Sequence, residues 1–358
     1  MTVSAFVNHE YVIILLMKLF FILISGFFCG IALVFLLYPL FLHKQPAVSV
    51  DSPPAIIEKP LEKYAIDALS QRQFSPSDIR IGNTLAESTD STSFMFYFSD
   101  SGKKVSGVLT APNEPGNYPV IIMIRGFAPQ ERYTPGYGTQ RVAEHLAANG
   151  FMTLAPDFLG YGESDTTSEN IFERRFQTYT TTLTLLASLN EVNDALDDQS
   201  INARLLPDQV GIWGHSNGGQ ITLTVLEVTQ KAYPTVLWAP VSKPFPYSIL
   251  YYTDGYEDYG KGLRRDLASF EKDYDVESFN PAGYLERIQA PLQIFQGDMD
   301  TEVPLAWSDE LVDKLKKLEK EVDYFTYAGA DHSLVPTGWN DAVVKLAEFY
   351  RTQLSTGR

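Results

Sequence analysis

The sequence predicts an α/β fold with a mostly parallel central sheet, antiparallel strands at its start, and a transmembrane helix before it. Three features indicate this: an uncharged apolar stretch near the N-terminus, three short β-like runs after it, and a long alternation of strand-like and helix-like segments. Such an alternation is typical of a parallel sheet that is covered by helices on both faces.

Residues Leu19–Leu42 carry no charged side chain and have no polar face. A helix of about 36 Å would cross a bilayer core of about 30 Å. A buried core helix and a cleaved signal peptide are the alternatives, but the apolar region of a signal peptide usually has about 7–15 residues. We therefore predict residues 1–18 as a short flank and residues 19–42 as a retained single-pass anchor in the lipid bilayer.

The lysines on either side of the predicted anchor do not decide its orientation. We expect the folded domain on the extracytoplasmic side. Met17 is a candidate alternative start. The single cysteine, Cys29, lies within the predicted anchor, so the sequence gives no intrachain disulfide from which to infer a redox compartment.

Residues 43–64 are predicted to form a proline-rich linker, and residues 65–358 one folded domain with a cap-like insertion at about 241–289. The 358-residue chain has a net charge of −16, which argues against a basic nucleic-acid-binding face. The sequence contains no His-x-His, cysteine pair, His-Glu-x-x-His or phosphate-loop lysine motif. We therefore expect no metal and no cofactor.

The elements of the folded domain follow from local patterns. The antiparallel start is predicted from three β-like runs with a turn at residues 99–102: Ile79–Thr84, Ser93–Phe98 and Val105–Leu109. The parallel part is predicted as strand Pro119–Ile124, helix Gln140–Asn149, strand Phe151–Ala155, helix Ile171–Leu196, strand Gln209–Gly214, helix Gly218–Val228, strands Thr235–Ala239 and Leu292–Gln296, helix Trp307–Leu318, strand Val322–Tyr327 and helix Asp341–Leu354.

The most informative motif is Gly-His-Ser-Asn-Gly, from Gly214 to Gly218, which joins a predicted strand to a predicted helix. This is the setting of a nucleophile elbow, a strained turn that exposes a serine and needs neighbouring residues without Cβ atoms. The helix that follows offers backbone N–H groups and a positive dipole near the serine oxygen. The pattern therefore indicates Ser216 as a nucleophile.

A serine hydroxyl needs a base to take its proton, and a third group must orient that base. The chain has five histidines, and only His332 lies in a small-residue loop after the last predicted strand; the others are His9, His43, His145 and His215. Three acids follow a predicted strand at its carboxyl end, where sites cluster in such sheets: Asp298, Asp300 and Glu302. The residues alone leave the choice among these acids open.

With these motifs the chain resembles the α/β-hydrolase superfamily, and within it the catalytic domain of prolyl oligopeptidase-type serine peptidases and their small esterase relatives. The resemblance covers about residues 79–350. It is to the catalytic domain alone and does not include the β-propeller of dipeptidyl and acylaminoacyl peptidases. It rests also on residues 297–304, similar to Gly-x-x-Asp-x-x-Val-Pro, and on residues 157–164, similar to Asp-x-x-Gly-x-Gly-x-Ser. It implies Asp300 as the acid, and the N–H groups of Phe127 and Asn217 as oxyanion-hole donors.

Two positions depart from the pattern of these relatives. Arg125 stands where they usually carry histidine, and it could either steer an anionic substrate or pair with an acid such as Asp157 or Glu163. Gln296 stands where many have histidine, and no mechanism follows from the sequence. In the cap, Tyr247 and Tyr251 are candidates for the substrate pocket, with ordinary cap packing as the alternative.

The resemblance implies a serine hydrolase that cleaves amide or peptide bonds of small substrates through an acyl-enzyme, and the apolar stretch predicts that this enzyme is anchored to a membrane. A carboxylesterase of the same fold is the closest alternative. A non-catalytic binding protein of this fold is a third, which the complete set of serine, acid and histidine disfavours. The oligomeric state stays open.

Overall fold

The computed structural model describes residues 14–24 and 59–355. They belong to two compact units, Met1–Glu58 and Lys59–Arg358. In the first unit, residues 14–24 form a helix with exposed apolar side chains. The predicted anchor, residues 19–42, thus lies mostly outside the described residues. Of the helices that are described, none has the length and apolar character needed to cross a membrane.

The second unit begins at Lys59, whereas the linker was predicted to continue to residue 64. Leu61 and Tyr64 are buried in its core, 5% exposed each. The backbone N–H of Leu61 donates to the hydroxyl of Tyr274 at 3.1 Å, and the Tyr64 ring lies 5.9 Å from that of Phe176. Residues 59–64, predicted as linker, therefore pack as part of the folded domain.

A nine-stranded sheet forms the centre of the second unit. Its strands are β1 Arg80–Glu87, β2 Ser91–Asp100, β3 Lys103–Pro112, β4 Gly116–Ile124, β5 Met152–Pro156, β6 Ala203–His215, β7 Thr235–Trp238, β8 Leu292–Gly297 and β9 Val322–Tyr327. Their order in the sheet is β1-β2-β3-β5-β4-β6-β7-β8-β9. The pairs from β1 to β3 and the pair β3–β5 are antiparallel, and all other pairs are parallel. The prediction of a mostly parallel sheet with an antiparallel start is confirmed.

The α-helices of this unit are α1 Ile66–Gln71, α2 Gln140–Ala148, α3 Ile171–Ala187, α4 Val192–Asp198, α5 Asn217–Thr229, α6 Tyr247–Leu250, α7 Lys261–Asp273, α8 Leu305–Lys317 and α9 Trp339–Ser355. The helix predicted over 171–196 is divided, because a 3₁₀ turn separates α3 from α4. Ser188 closes α3: its hydroxyl donates to the carbonyl of Thr184 at 2.7 Å and accepts the N–H of Ser77 at 2.8 Å. A serine bonded in this way competes with the helix backbone.

Helices cover both faces of the sheet, and the alternation of side chains along β4 shows how. Ile122 packs in a core with residues of α3, α5 and α8, whereas its neighbour Ile121 packs in a second core with residues of α2 and α9. Both isoleucines are fully buried. Successive side chains of a strand point to opposite faces, so a fully apolar strand needs cover on both sides.

The chain between β7 and β8, predicted as a cap-like insertion and called the cap below, contains α6, α7 and several 3₁₀ turns. Helix α7 buries Leu263, Leu267 and Phe270, spaced as one face of a helix. The Phe270 ring lies 4.9 Å from that of Phe172, in the first turn of α3. The cap is thus packed against the N-terminal end of α3.

Candidate active site

Ser216 is the single residue between the end of β6 and the start of α5. Its backbone has φ 56° and ψ −123°, a region that costs energy for any residue with a side chain. Its N–H donates to the carbonyl of Trp238 at 3.0 Å, and its carbonyl accepts the N–H groups of Gly219 and Val241, each at 2.9 Å. These bonds hold the strained turn in the form that a nucleophile elbow requires.

Two glycines allow the chain to pass closely beside this turn. A Cβ atom on Gly218 would lie 2.0 Å from the carbonyl oxygen of Ile124, and one on Gly126 would lie 2.8 Å from the Cβ of Ser216. The start of α5 and the residues that follow β4 therefore meet with no room for a methyl group. The clearance expected of Gly218 is present.

Replacing Gly218 by alanine is expected to lower the free energy of unfolding by about 1–3 kcal/mol, since backbone must move to admit the methyl group. Activity should fall with it, because the same shift displaces the segment beside Ser216. Gly255→Ala is the control, as a Cβ there meets nothing within 4 Å. Urea unfolding of both variants tests this, and equal midpoints for the two would contradict it.

The two predicted oxyanion donors, Phe127 and Asn217, border one cavity. Asn217 is the first residue of α5, so its N–H group has no acceptor within the helix. The N–H of Phe127 has no acceptor among the described residues, and the Phe127 side chain is 75% exposed. Two free N–H groups beside a serine can stabilise the oxyanion of an acyl-transfer intermediate.

His332 and Asp300 form a buried pair. The Nδ1 atom of His332 donates to Oδ2 of Asp300 at 2.8 Å, and the two side chains are 10% and 0% exposed. In the described residues no hydrogen bond joins the Ser216 hydroxyl to His332, and catalytic bonds are often loose without substrate. The pairing favours Asp300 as the acid that orients the histidine.

The other two candidate acids have different surroundings. Asp298 accepts the N–H of Gly329 at 2.7 Å and so supports the loop that carries His332. Glu302 lies with Oε2 3.8 Å from Nε2 of His332, but its side chain is 69% exposed. Neither contacts the Nδ1 atom, which is the one that the orienting acid must hold.

A hydrogen-bond network fixes the Asp300 carboxylate. Oδ1 accepts the N–H groups of Glu302 and Val303 at 2.8 and 2.9 Å, and Oδ2 accepts Nε2 of Gln296 at 2.9 Å. Burial by itself would raise the pKa of Asp300, but the hydrogen bond and the charge of His332, with the two backbone N–H groups, outweigh it and hold that pKa below its ordinary value. Asp300 is therefore ionised at neutral pH.

Gln296, to which the sequence assigned no mechanism, is a part of this network. It is fully buried and accepts the hydroxyl of Ser308 at 2.7 Å while it donates to Asp300. The signal in the sequence was its position, four residues before the acid, at a site where relatives carry another polar side chain. The structure shows that a hydrogen-bond donor at this position orients Asp300.

Gln296→Leu is expected to lower kcat about tenfold with little change in KM, because Asp300 loses a donor that aligns it. Measuring kcat and KM of the wild type and the variant with a chromogenic ester tests this expectation. Gln289→Leu, at an exposed position before β8, is the matched control. A fall in kcat no larger than that of the control would contradict the role given to Gln296.

His215 packs against His332, with ring centroids 4.6 Å apart, and its Nε2 atom donates to the carbonyl of His332 at 3.1 Å. Burial, together with the charge of His332, lowers the pKa of His215 to about 3. His215 is thus neutral, and it supports the His332 loop rather than acting as a base.

Arg125 is buried, 5% exposed, and its interactions are structural. Its guanidinium donates to the carbonyls of Gly126 and Asp157, each at 2.8 Å, and lies 4.1 Å from the ring centre of Tyr161. The Asp157 carboxylate accepts hydroxyls instead, from Ser106 and Tyr133. The predicted contact with Asp157 therefore exists through the backbone carbonyl, not as an ion pair.

A cavity of about 470 Å³ opens beside Phe127 and Asn217, between the loops after β4 and β5, α3 and the cap. Arg125 is in its wall. Tyr247 and Tyr251 are not: they pack with Trp307, at ring distances of 6.1 and 4.7 Å. The cap tyrosine that borders this cavity is Tyr256. Within residues 14–24 and 59–355, no cluster of three or more His, Cys, Asp or Glu side chains could hold a metal ion.

The order of the strands and the position of the elbow after β6 define the chain as an enzyme of the α/β-hydrolase class, a serine hydrolase. The sequence profile described as the prolyl oligopeptidase family matches residues 140–356, more than half of the chain. The protein belongs to that family, and its activity is that of a peptidase or a carboxylesterase.

Two curated relatives are similar over most of their own length. The uncharacterized peptidase YtmA of Bacillus subtilis is 26% identical over 260 residues, which cover 72% of this chain and 92% of the relative. A putative carboxymethylenebutenolidase of Synechocystis is 25% identical over 264 residues, covering 70% and 93%.

Solved structures show the same fold. An acetyl xylan esterase from Paenibacillus sp. R4 aligns with a TM-score of 0.56 and 16% identity, over 83% of this chain and 96% of the esterase. A puromycin-hydrolyzing peptidase from Mycobacterium tuberculosis aligns with a TM-score of 0.51 and 18% identity, over 76% and 39%. At these identities the likeness concerns the fold alone.

Proposed function

We propose that this serine hydrolase cleaves amide bonds of small peptides through an acyl-enzyme, with Ser216, His332 and Asp300 as its catalytic residues. The observation that carries the assignment is the 2.8 Å contact between His332 and Asp300, in a loop that packs against the strained serine turn. The family match and the peptidase among the curated relatives support an amide substrate.

In the proposed reaction, the hydroxyl of Ser216 attacks the substrate carbonyl while Nε2 of His332 takes its proton. Asp300 holds Nδ1 of His332 and stabilises the cation that forms. The N–H groups of Phe127 and Asn217 bind the oxyanion. His332 then protonates the leaving amine, and a water molecule that His332 deprotonates releases the acyl group from Ser216.

Ester hydrolysis is the second candidate, and it uses the same groups in the same order. The relative named a putative carboxymethylenebutenolidase, similar over 70% of this chain, favours a substrate with a C–O bond to be cleaved.

A comparison of p-nitrophenyl esters of increasing acyl length with aminoacyl and prolyl p-nitroanilides distinguishes the two candidates. A peptidase is expected to turn over at least one anilide, and that activity should disappear with His332→Ala. Rapid ester cleavage without measurable anilide cleavage would assign the protein as a carboxylesterase instead.

We also propose that residues 19–42 anchor the catalytic domain to a membrane, on the extracytoplasmic side. The support for this is the absence of charged side chains from Leu19 to Leu42. The full chain should stay with the membrane fraction after carbonate extraction, whereas a chain lacking residues 1–42 should be released. Protease added to intact cells should degrade the domain; full protection would contradict the proposed side.

A further inference from the structure

The wall of the 470 Å³ cavity has an unbalanced positive charge. Three arginines border it, Arg125, Arg174 and Arg175, against one carboxylate, the exposed Glu131. In the described part of the chain, none of these arginines forms an ion pair with an acidic side chain. Such a wall is unexpected in a protein whose net charge is −16.

Arg175 is the arginine with bonding capacity left for a ligand. Arg125 is held by two carbonyls and a tyrosine ring, and Arg174 is exposed and donates to the carbonyl of Ser168. Arg175 is half-buried and donates through Nη2 to Oε1 of Gln220, whereas its Nη1 atom has no hydrogen bond among the described residues. Arg125 differs because both of its Nη atoms already donate to carbonyls. A guanidinium with a free Nη donor can bind a carboxylate through a charge-assisted hydrogen bond.

The position of Arg175 relates it to the reacting centre. Its partner Gln220 is three residues after Asn217 in α5, which is about 4.5 Å along the helix axis. Gln220 is fixed in turn, because its Nε2 atom donates to the hydroxyl of Ser248 at 3.2 Å and the carbonyl of Lys243 at 3.3 Å. The guanidinium is thus bonded to the helix that begins at Asn217, and both residues border the same cavity.

The wall near Arg175 is otherwise largely apolar, with contributions from Phe158, Phe172, Ile221 and Leu263. A chain of several methylene groups would be buried there, and a terminal anion would meet the guanidinium. We propose that this cavity is an acyl subsite for substrates whose acyl group ends in a carboxylate, and that Arg175 is its specificity-determining residue. The inference rests on the proposed hydrolase function and adds its substrate class.

The test compares two p-nitrophenyl esters that differ only at the end of the acyl chain: the monoester of adipate and the ester of hexanoate. After subtraction of the enzyme-free rates, the wild-type protein should have the higher kcat/KM for the adipate ester. Arg175→Met should lower kcat/KM for the adipate ester about tenfold or more and leave the hexanoate ester within about twofold.

Arg265→Met is the matched control, an arginine with an 81% exposed side chain outside the cavity, and it should change neither value. Arg175→Lys should retain part of the preference, since it keeps the charge without the fork. Arg175→Met could lose both activities by unfolding. In that case the subsite is tested by the preference that Arg175→Lys retains and by competition in the wild type, where free adipate should inhibit cleavage of the hexanoate ester.

Equal kcat/KM values for the two esters in the wild type, or a preference unchanged in both Arg175 variants, would overturn this inference. The proposed hydrolase function would stand in that case, because hexanoate ester turnover through Ser216 is independent of the subsite. Absence of Ser216-dependent turnover of either ester, or of any anilide, would instead overturn the proposed function.

Discussion

Replacing Ser216 by alanine is expected to lower kcat about a million-fold, to the background left by binding and the oxyanion donors. The hydroxyl is the only nucleophile that the elbow presents, and alanine retains the backbone that forms the turn. The rate of ester or anilide cleavage measures the loss. Because the methyl group fits where the serine Cβ already lies, the unfolding midpoint should change little.

Ser99→Ala is the control, because Ser99 is exposed and lies next to the β2–β3 turn. This variant should retain full activity. Residual activity of Ser216→Ala within about a hundredfold of the wild type would mean that another group attacks the substrate. In that case, the elbow would have to serve a different purpose.

Asp300→Asn is the second large effect, with an expected loss in kcat of about 10³–10⁴-fold. An amide has no negative charge with which to accept the hydrogen bond from Nδ1–H of His332. The ring is therefore oriented less well, and its cation is not stabilised. Asp298→Asn is the matched control, since Asp298 supports the loop through Gly329 only. A larger loss of kcat in Asp298→Asn than in Asp300→Asn would mean that Asp298, not Asp300, is the acid that orients His332.

The same variant has a pH signature in stability. The pKa of Asp300 in the folded protein lies below the ordinary value of 3.8, so the carboxylate stabilises the fold fully above about pH 4. This contribution is lost as the pH falls through the folded pKa. The difference in unfolding free energy between the wild type and Asp300→Asn should therefore be constant near neutral pH and shrink below pH 4. A difference that grows on acidification would contradict the cause given for the shift.

Local sequence was sufficient for the parts of the site that depend on neighbours in the chain. The elbow from Gly214 to Gly218 is one strand, one turn and one helix, and its glycines are required by contacts that any such turn makes. The alternation of segments likewise predicted most strands and helices, because the apolar period of each is a local property.

Features that depend on contacts distant in the chain were not predictable. The break between α3 and α4 arises where Ser188 also accepts the N–H of Ser77, more than a hundred residues away. Arg175 reaches α5 through Gln220, 45 residues further along the chain. Nothing in the local pattern of Ser188 or Arg175 distinguishes them from ordinary polar side chains.

If Ser216 is an activated nucleophile, a fluorophosphonate should react with it covalently. We expect one adduct per chain by intact mass, located at Ser216 in the tryptic peptide of residues 205–231, in which it is the only serine. His332→Ala should slow this labelling strongly. An adduct at another residue, or an unlabelled Ser216 in protein that still cleaves its substrates, would show that Ser216 is not the nucleophile.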